Sequence, residues 1–209
     1  TAGKPQPVSG TLKIFALRQP DKVFKERLWH EPDTFTMSRE IYLKYFPHIA
    51  YKGEDDRNKW PGELVMSKNL SWKGDTTLDA SLVQSLRKGY FKFVFTVNNP
   101  SGKPVSDSVT TLVFSSKSKR PAVKKDFWMH LSKEVAEPGE IITLTLASAT
   151  KNTRVYYELS FKNSLIEKRW IKLSKKQVVI PITIKEAWCG GVRVNLVMVK
   201  NNRRQVVNQ

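Results

Sequence analysis

Disulfide bonding is the first possibility the sequence closes. Its 209 residues include one cysteine, Cys189, so no intrachain bridge can staple the fold. Stability must come from buried apolar surface, and 40% hydrophobic residues with 11% aromatics suffice for that. Long apolar runs are missing too: nothing approaches the roughly 20 residues that a membrane-spanning helix needs. Histidine is scarce, with His30, His48 and His130 far apart in sequence and far from Cys189, which gives the thiol no base in a recognisable nucleophile motif. Cys189 is therefore expected to be a structural, buried small hydrophobe. Negative charge is also short: 36 Lys and Arg face 19 Asp and Glu, for a net charge of +17. Such a surplus raises the question of nucleic acid or an anionic surface. Residues 1–120 carry 20 basic and 12 acidic side chains, and residues 121–209 carry 16 and 7, so the charge is spread rather than gathered in a tail. Most clusters fall at strand ends and turns, where Lys is solvated and guards sheet edges. No nucleic-acid motif accompanies them, and no nucleic-acid partner is expected.

Strand signals dominate what is present. Gly89-Tyr-Phe-Lys-Phe-Val-Phe-Thr-Val97 and Ser106–Phe114 flank a turn rich in Asn, Pro and Gly, which predicts a hairpin with Gly102 or an Asn at positive φ. The polar, basic stretch 115–122 reads as a seam between two domains of ~100 residues, 1–120 and 121–209. In the first, strands are expected at Leu12–Leu17, Glu63–Ser67, Leu70–Trp72 and Thr76–Ala80, after an incoming linker at 1–9. One short helix is expected near 38–46, capped by Ser38 and stopped by Pro47. Two long loops, 18–34 and 48–62, carry apolar anchors.

The second domain alternates more cleanly. Ile142/Leu144/Leu146, Val155/Tyr157/Leu159/Phe161, Val178/Ile180/Ile182/Ile184 and Val192/Val194/Leu196/Met198 each follow the period of two of a half-buried strand. Pro181 cannot donate to a ladder, so its strand is expected at an edge or a bulge. About seven strands in ~85 residues, with turns every ~8–12, predict an antiparallel sandwich. The fold class is all-β: two tandem antiparallel β-sandwich domains of immunoglobulin or fibronectin type, with the second expected to continue beyond Gln209.

Candidate chemistry is thin. Glu54-Asp55-Asp56 lacks the ligand spacing of a calcium loop and reads as a solvated turn. Glu137 and Glu140 flank a turn. No Ser/His/Asp arrangement, phosphate-cradling Gly loop or metal-ligand spacing occurs, so neither an enzyme nor a cofactor or metal site is expected. Trp29, Trp60 and Trp72 lie in or near loops. Exposed, they would form a platform for sugar rings; half-buried, they would plug a sandwich end or a domain seam. With Arg120 at the basic seam they are the candidate ligand or interdomain contacts.

Several of these stretches resemble a family. Gly10-Thr-Leu-Lys-Ile-Phe15, Val23-Phe-Lys-Glu-Arg-Leu-Trp-His-Glu-Pro-Asp33, Phe35-Thr-Met-Ser38, Phe46-Pro-His-Ile-Ala-Tyr51, the Trp60 loop and Gly89-Tyr90 followed by 98–105 resemble a macroglobulin-type domain of bacterial α-2-macroglobulin-like proteins, those of Bacteroidetes above all. Glu137-Pro-Gly-Glu140, Val178-Val-Ile-Pro-Ile182 and Gly190-Gly-Val192 resemble the next such domain. The resemblance implies non-catalytic modules of a protease-trapping endopeptidase inhibitor. Their partners would be neighbouring domains of one polypeptide and, through the whole protein, target proteases. It also implies export to the periplasm or outer membrane, with membrane contact only through a possible N-terminal lipid anchor. The family's thioester motif is Cys-(Gly or Leu)-Glu-Gln. Cys189-Gly190-Gly191-Val192 copies only its first half and has no Gln as acyl partner, and no bait segment is apparent. A glycan-binding module of a surface nutrient-uptake system is the alternative, through the three tryptophans.

Overall fold

The computed structural model describes residues 7–73, 81–98, 102–200 and 203–208, without the side chains of Pro7, Trp72, Lys73, Val207 and Asn208. These residues form two compact units. One gathers the chain up to Pro20 and from Trp29 to Ser115; the other gathers Asp21–Leu28 and everything from Ser116 onward.

Unit 1 is built on one antiparallel sheet. Its elements are β1 (Pro7–Leu17), helix α1 (Arg39–Tyr45), β2 (Gly62–Lys73), helix α2 (Ser81–Gln84), β3 (Gly89–Asn98) and β4 (Pro104–Val113), and the sheet order is β2-β1-β3-β4. Register places Leu12, Ile14 and Ala16 opposite Phe95, Phe93 and Phe91, so these six side chains share one face. Met66 and Leu70 of β2 extend that face, and Leu82 and Val83 of α2, with Leu86 behind them, pack against it. Among the described residues the second layer of this unit is helical rather than a second sheet. Gly10 sits where the Phe95 ring and Val97 fold across β1. A Cβ there would lie 2.4 Å from the Thr96 carbonyl oxygen, closer than any side chain tolerates.

The structure confirms the hairpin of β3 and β4, with Gly102 at φ 76°. It also confirms the predicted helix: the Ser38 hydroxyl accepts from the Ile41 N–H at 3.3 Å, Glu40 sits in the first turn and Lys44 in the last. The two short strands expected between Glu63 and Trp72 are instead one strand, β2. Its polar middle is tolerated because β2 is an edge strand. Cross-strand pairs also satisfy it: Thr11 Oγ1 donates to Asn69 Oδ1 at 2.9 Å and Ser9 Oγ to Ser71 Oγ at 2.7 Å. The strand expected at Thr76–Ala80 lies outside the described residues, as does most of the incoming linker.

Unit 2 contains seven strands in two sheets: β5 (Trp128–Leu131), β6 (Ile141–Ala147), β7 (Arg154–Phe161), β8 (Ser164–Lys172), β9 (Gln177–Thr183), β10 (Arg193–Lys200) and β11 (Arg203–Asn208). The orders are β5-β6-β9 and β11-β10-β7-β8, all antiparallel. The alternating residues read from the sequence are the ones that turn inward. Leu144 faces Ile180 on one sheet and Tyr157 faces Leu196 on the other, and all four are buried in a single cluster with Val155, Leu159, Ile182, Val194 and Met198. Each fully buried aliphatic side chain contributes about 1.5–3 kcal/mol. Pro181 is exposed on β9, the outer strand of its sheet, as a residue without an N–H requires. Asp21–Leu28 joins this unit through an ion pair from Asp21 to Lys124 at 2.6 Å and through Arg203, whose guanidinium donates to the Glu26 carbonyl.

Candidate functional site

The loop aromatics of unit 1 form a satellite core. Phe35 packs edge-on against Tyr42 of α1 at 5.8 Å and against Tyr51 at 4.7 Å; Tyr42 meets Phe46 at 5.1 Å. Trp29 lies at its margin, edge-on to Phe46 at 6.0 Å and 47% exposed. Trp60 is half-buried elsewhere. Its Nε1 donates to the Glu54 carbonyl at 2.9 Å and its ring meets buried Tyr90 edge-on at 5.5 Å. Trp72 falls in β2 opposite Val8, its side chain outside the described residues. Trp29 and Trp60 thus pack on different aromatic neighbours. Arg120 is exposed in unit 2, where its backbone and the Ser118 hydroxyl close a small turn.

The acidic trio has structural work. Glu54 binds Arg39 at 2.5 Å, and Asp56 caps the 3-10 turn Arg57–Lys59 by accepting from the Asn58 N–H at 3.0 Å. The Arg57 guanidinium lies over Tyr90, 5.0 Å from the ring centre. Burial pushes the Tyr90 phenol above its ordinary value, against the opposing pull of Arg57.

Cys189 departs from expectation: it is exposed rather than buried. It follows the 3-10 turn Glu186–Trp188, where Gly190 and Gly191 both take positive φ, near 100°, and carry the chain around to β10. A turn of this shape lifts the thiol out of the core. Its Sγ donates to the Glu186 carbonyl at 3.1 Å. This turn closes one end of the sandwich around a cavity of about 410 Å³ walled by Leu131, Ile142, Ile182, Ile184, Trp188 and Val194. Its ionisable lining is Glu134, Lys185 and Cys189. The volume lies within the usual range of small-molecule pockets, and an apolar group would fit.

The opposite end of the same sandwich is closed by polar groups. Lys200 Nζ donates to Thr150 Oγ1, to the Lys151 carbonyl at 2.9 Å and to Thr153 Oγ1 at 3.0 Å, with Asp126 Oδ1 3.6 Å away. Thr150 Oγ1 also donates to Asp126, and Ser148 to Thr153. These contacts tie the end of β10 to the loop that precedes β7.

One surface escaped the sequence reading. The outward register of β8, β7, β10 and β11 brings together Trp170, Tyr156, Val197, Val199 and Val206. The alternation that marks the core positions of each strand also fixes this complementary set strand by strand, while the pairing of Trp170 with Tyr156 comes from the register.

These features define an all-β protein with two antiparallel units. The chain matches no protein-family model and no curated protein. Among the described residues, no three His, Cys, Asp or Glu side chains cluster as metal ligands, and no helix is long and apolar enough to cross a membrane.

Proposed function

We propose that this chain serves as non-catalytic structural and interaction modules of an exported α-2-macroglobulin-like protease-trapping protein. The modules space and orient an array and carry contact surfaces. Support comes first from the fate of Asp21–Leu28, which folds into unit 2 although it leaves and re-enters unit 1. The stretch Val23–Asp33, one of those that carry the resemblance, is therefore divided between two units, so the chain passes from one to the other three times. Such a long connection is more than a turn requires, and connections of this kind carry function. The engagement of Glu54, Asp56, Asp126 and Lys200 in structural contacts fits the same role.

The test uses the 209-residue chain and the longer protein of the resemblance. The chain alone is expected to leave trypsin and subtilisin activity unchanged, while deletion of the two units from the longer protein abolishes trapping of either protease. Inhibition by the isolated chain, or trapping that survives the deletion, overturns the proposal.

A further inference from the structure

The open face of the β11-β10-β7-β8 sheet has the anatomy of an interaction surface. Trp170 is 65% exposed and leans on Tyr156, with ring centres 5.1 Å apart. Val199 and Val206 are exposed in the same register, and Leu165 and Ile166 are exposed at the β8 end, where the ladder shifts. Around this apolar centre stand five exposed cations, Arg154, Lys168, Lys172, Arg193 and Arg204. One carboxylate shares the face, Glu158, two residues from Tyr156 along β7. Lys172 stands directly opposite Arg154. Like charges in directly paired positions destabilise a sheet, so this pair weakens the fold that carries it. An anionic partner would remove that repulsion. An apolar centre with Trp, ringed by charge, is the layout of a protein interface, in which Trp and Arg carry much of the energy.

We infer that this face docks an acidic polypeptide surface with an apolar centre, Trp170 acting as the anchor and the five cations as the steering rim. A nucleic-acid strand fits less well. Sheet platforms for single strands present several spread rings, one per base, whereas here the two rings lean on each other and aliphatic side chains fill the remaining area. A bilayer fits less well too, because Trp170, Val197, Val199 and Val206 sit within the strands of the sheet rather than on a protruding loop. The surface stands independently of the module role proposed above, since it rests on unit 2 alone.

The test titrates the full chain with a fluorescein-labelled random copolymer of glutamate and tyrosine and reads anisotropy. Polyglutamate, an oligo-dT strand and phosphatidylglycerol vesicles form the comparison arms. The copolymer is expected to bind more tightly than all three. Trp170→Ala is expected to weaken it about tenfold, in line with loss of an interface anchor. Lys168→Glu/Lys172→Glu should weaken it further, mainly at low salt, because exposed charges are screened beyond about 10 Å at 0.1 M. Lys117→Glu/Lys119→Glu, a charge reversal of equal size at the seam, should leave binding within about twofold, as rim charges away from a contact contribute little. Circular dichroism of each variant should match the parent, since every altered side chain is solvent-exposed. Tighter binding of oligo-dT or vesicles, copolymer binding indifferent to Trp170→Ala, or equal losses from both charge reversals would overturn the inference.

Discussion

The two units solve the burial problem differently. Unit 2 presses two sheets together and seals a continuous cluster between them, led by Leu144, Leu146, Val155, Tyr157, Leu173 and Leu196. Among its described residues unit 1 has one sheet, and its cluster is smaller, with Leu12, Ile14, Ala16, Phe91 and Phe93 buried and a short helix packed against them. A sheet facing another sheet is covered along its whole length by strands that cannot easily shift. A sheet covered by one helical turn has a lid that can settle into a vacancy. Unit 2 should therefore behave as the stiffer body and unit 1 as the more forgiving one, because the cost of a cavity depends on how well its walls collapse.

Core truncation gives the largest expected effect. Leu196→Ala should destabilise unit 2 by about 3–4 kcal/mol, whereas Ile14→Ala should cost unit 1 about 2–3 kcal/mol, near the bottom of the range for buried aliphatics. Urea unfolding followed by circular dichroism measures both, and a larger loss for Ile14→Ala would reverse the contrast. Next comes a pH effect specific to the sandwich. The Tyr157 hydroxyl is buried without a hydrogen-bond partner among the described residues. Desolvation, helped by nearby Glu167 and opposed by Arg169, pushes its phenol up from 10.0 to about 12. The folded pKa is the raised one, so the full stabilisation is present below pH 10 and is lost as pH rises toward 12. The loss amounts to about 3 kcal/mol. Tyr157→Phe should remove this alkaline drop and, by deleting an unsatisfied hydroxyl, gain about 1 kcal/mol at neutral pH. A variant that keeps the alkaline drop would show that another group causes it.

Backbone crowding in unit 1 is expected to matter less than the sandwich core. Gly10→Ala should cost about 1–3 kcal/mol, because its methyl has nowhere to go between the Thr96 carbonyl and the Phe95 ring. Thermal unfolding tests this, and an unchanged midpoint would mean that the hairpin shifts freely. Smallest is the surface tie of the crossing segment. Asp21 is almost fully exposed, so Lys124→Ala should cost under about 1 kcal/mol. A larger loss, read from the same melts, would mark Asp21–Leu28 as an integral part of unit 2 rather than a lightly held strap.

Legibility followed the same divide. The inward residues of β7, β9 and β10 were readable because their apolar residues recur with a period of two, and those of β6 because Thr143 and Thr145 break its apolar run, although Thr145 is itself buried. In β3 the alternation of Phe91, Phe93 and Phe95 with Lys92, Val94 and Thr96 marks the inward face, but it does not report that Tyr90, on the other face, is buried against Trp60. The unity of β2 was hidden because Ser67, Lys68 and Asn69 look like a break until their partners on β1 are known. Cys189 was misjudged for a related reason. Its exposure depends on the two positive-φ glycines after it, and residue preference does not report where a turn points.

By itself the sequence determined the class of the fold, the hairpin, the capped helix and the inward residues of β6, β7, β9 and β10, because these follow from periods and turn chemistry within a few residues. Tertiary structure alone decided which strands became neighbours and which loop joined which unit. It also decided that Trp170 stands open among cations while Tyr157, thirteen residues earlier, has no access to water. Those outcomes depend on pairings between residues far apart in the chain, whose closure entropy and packing no local pattern encodes.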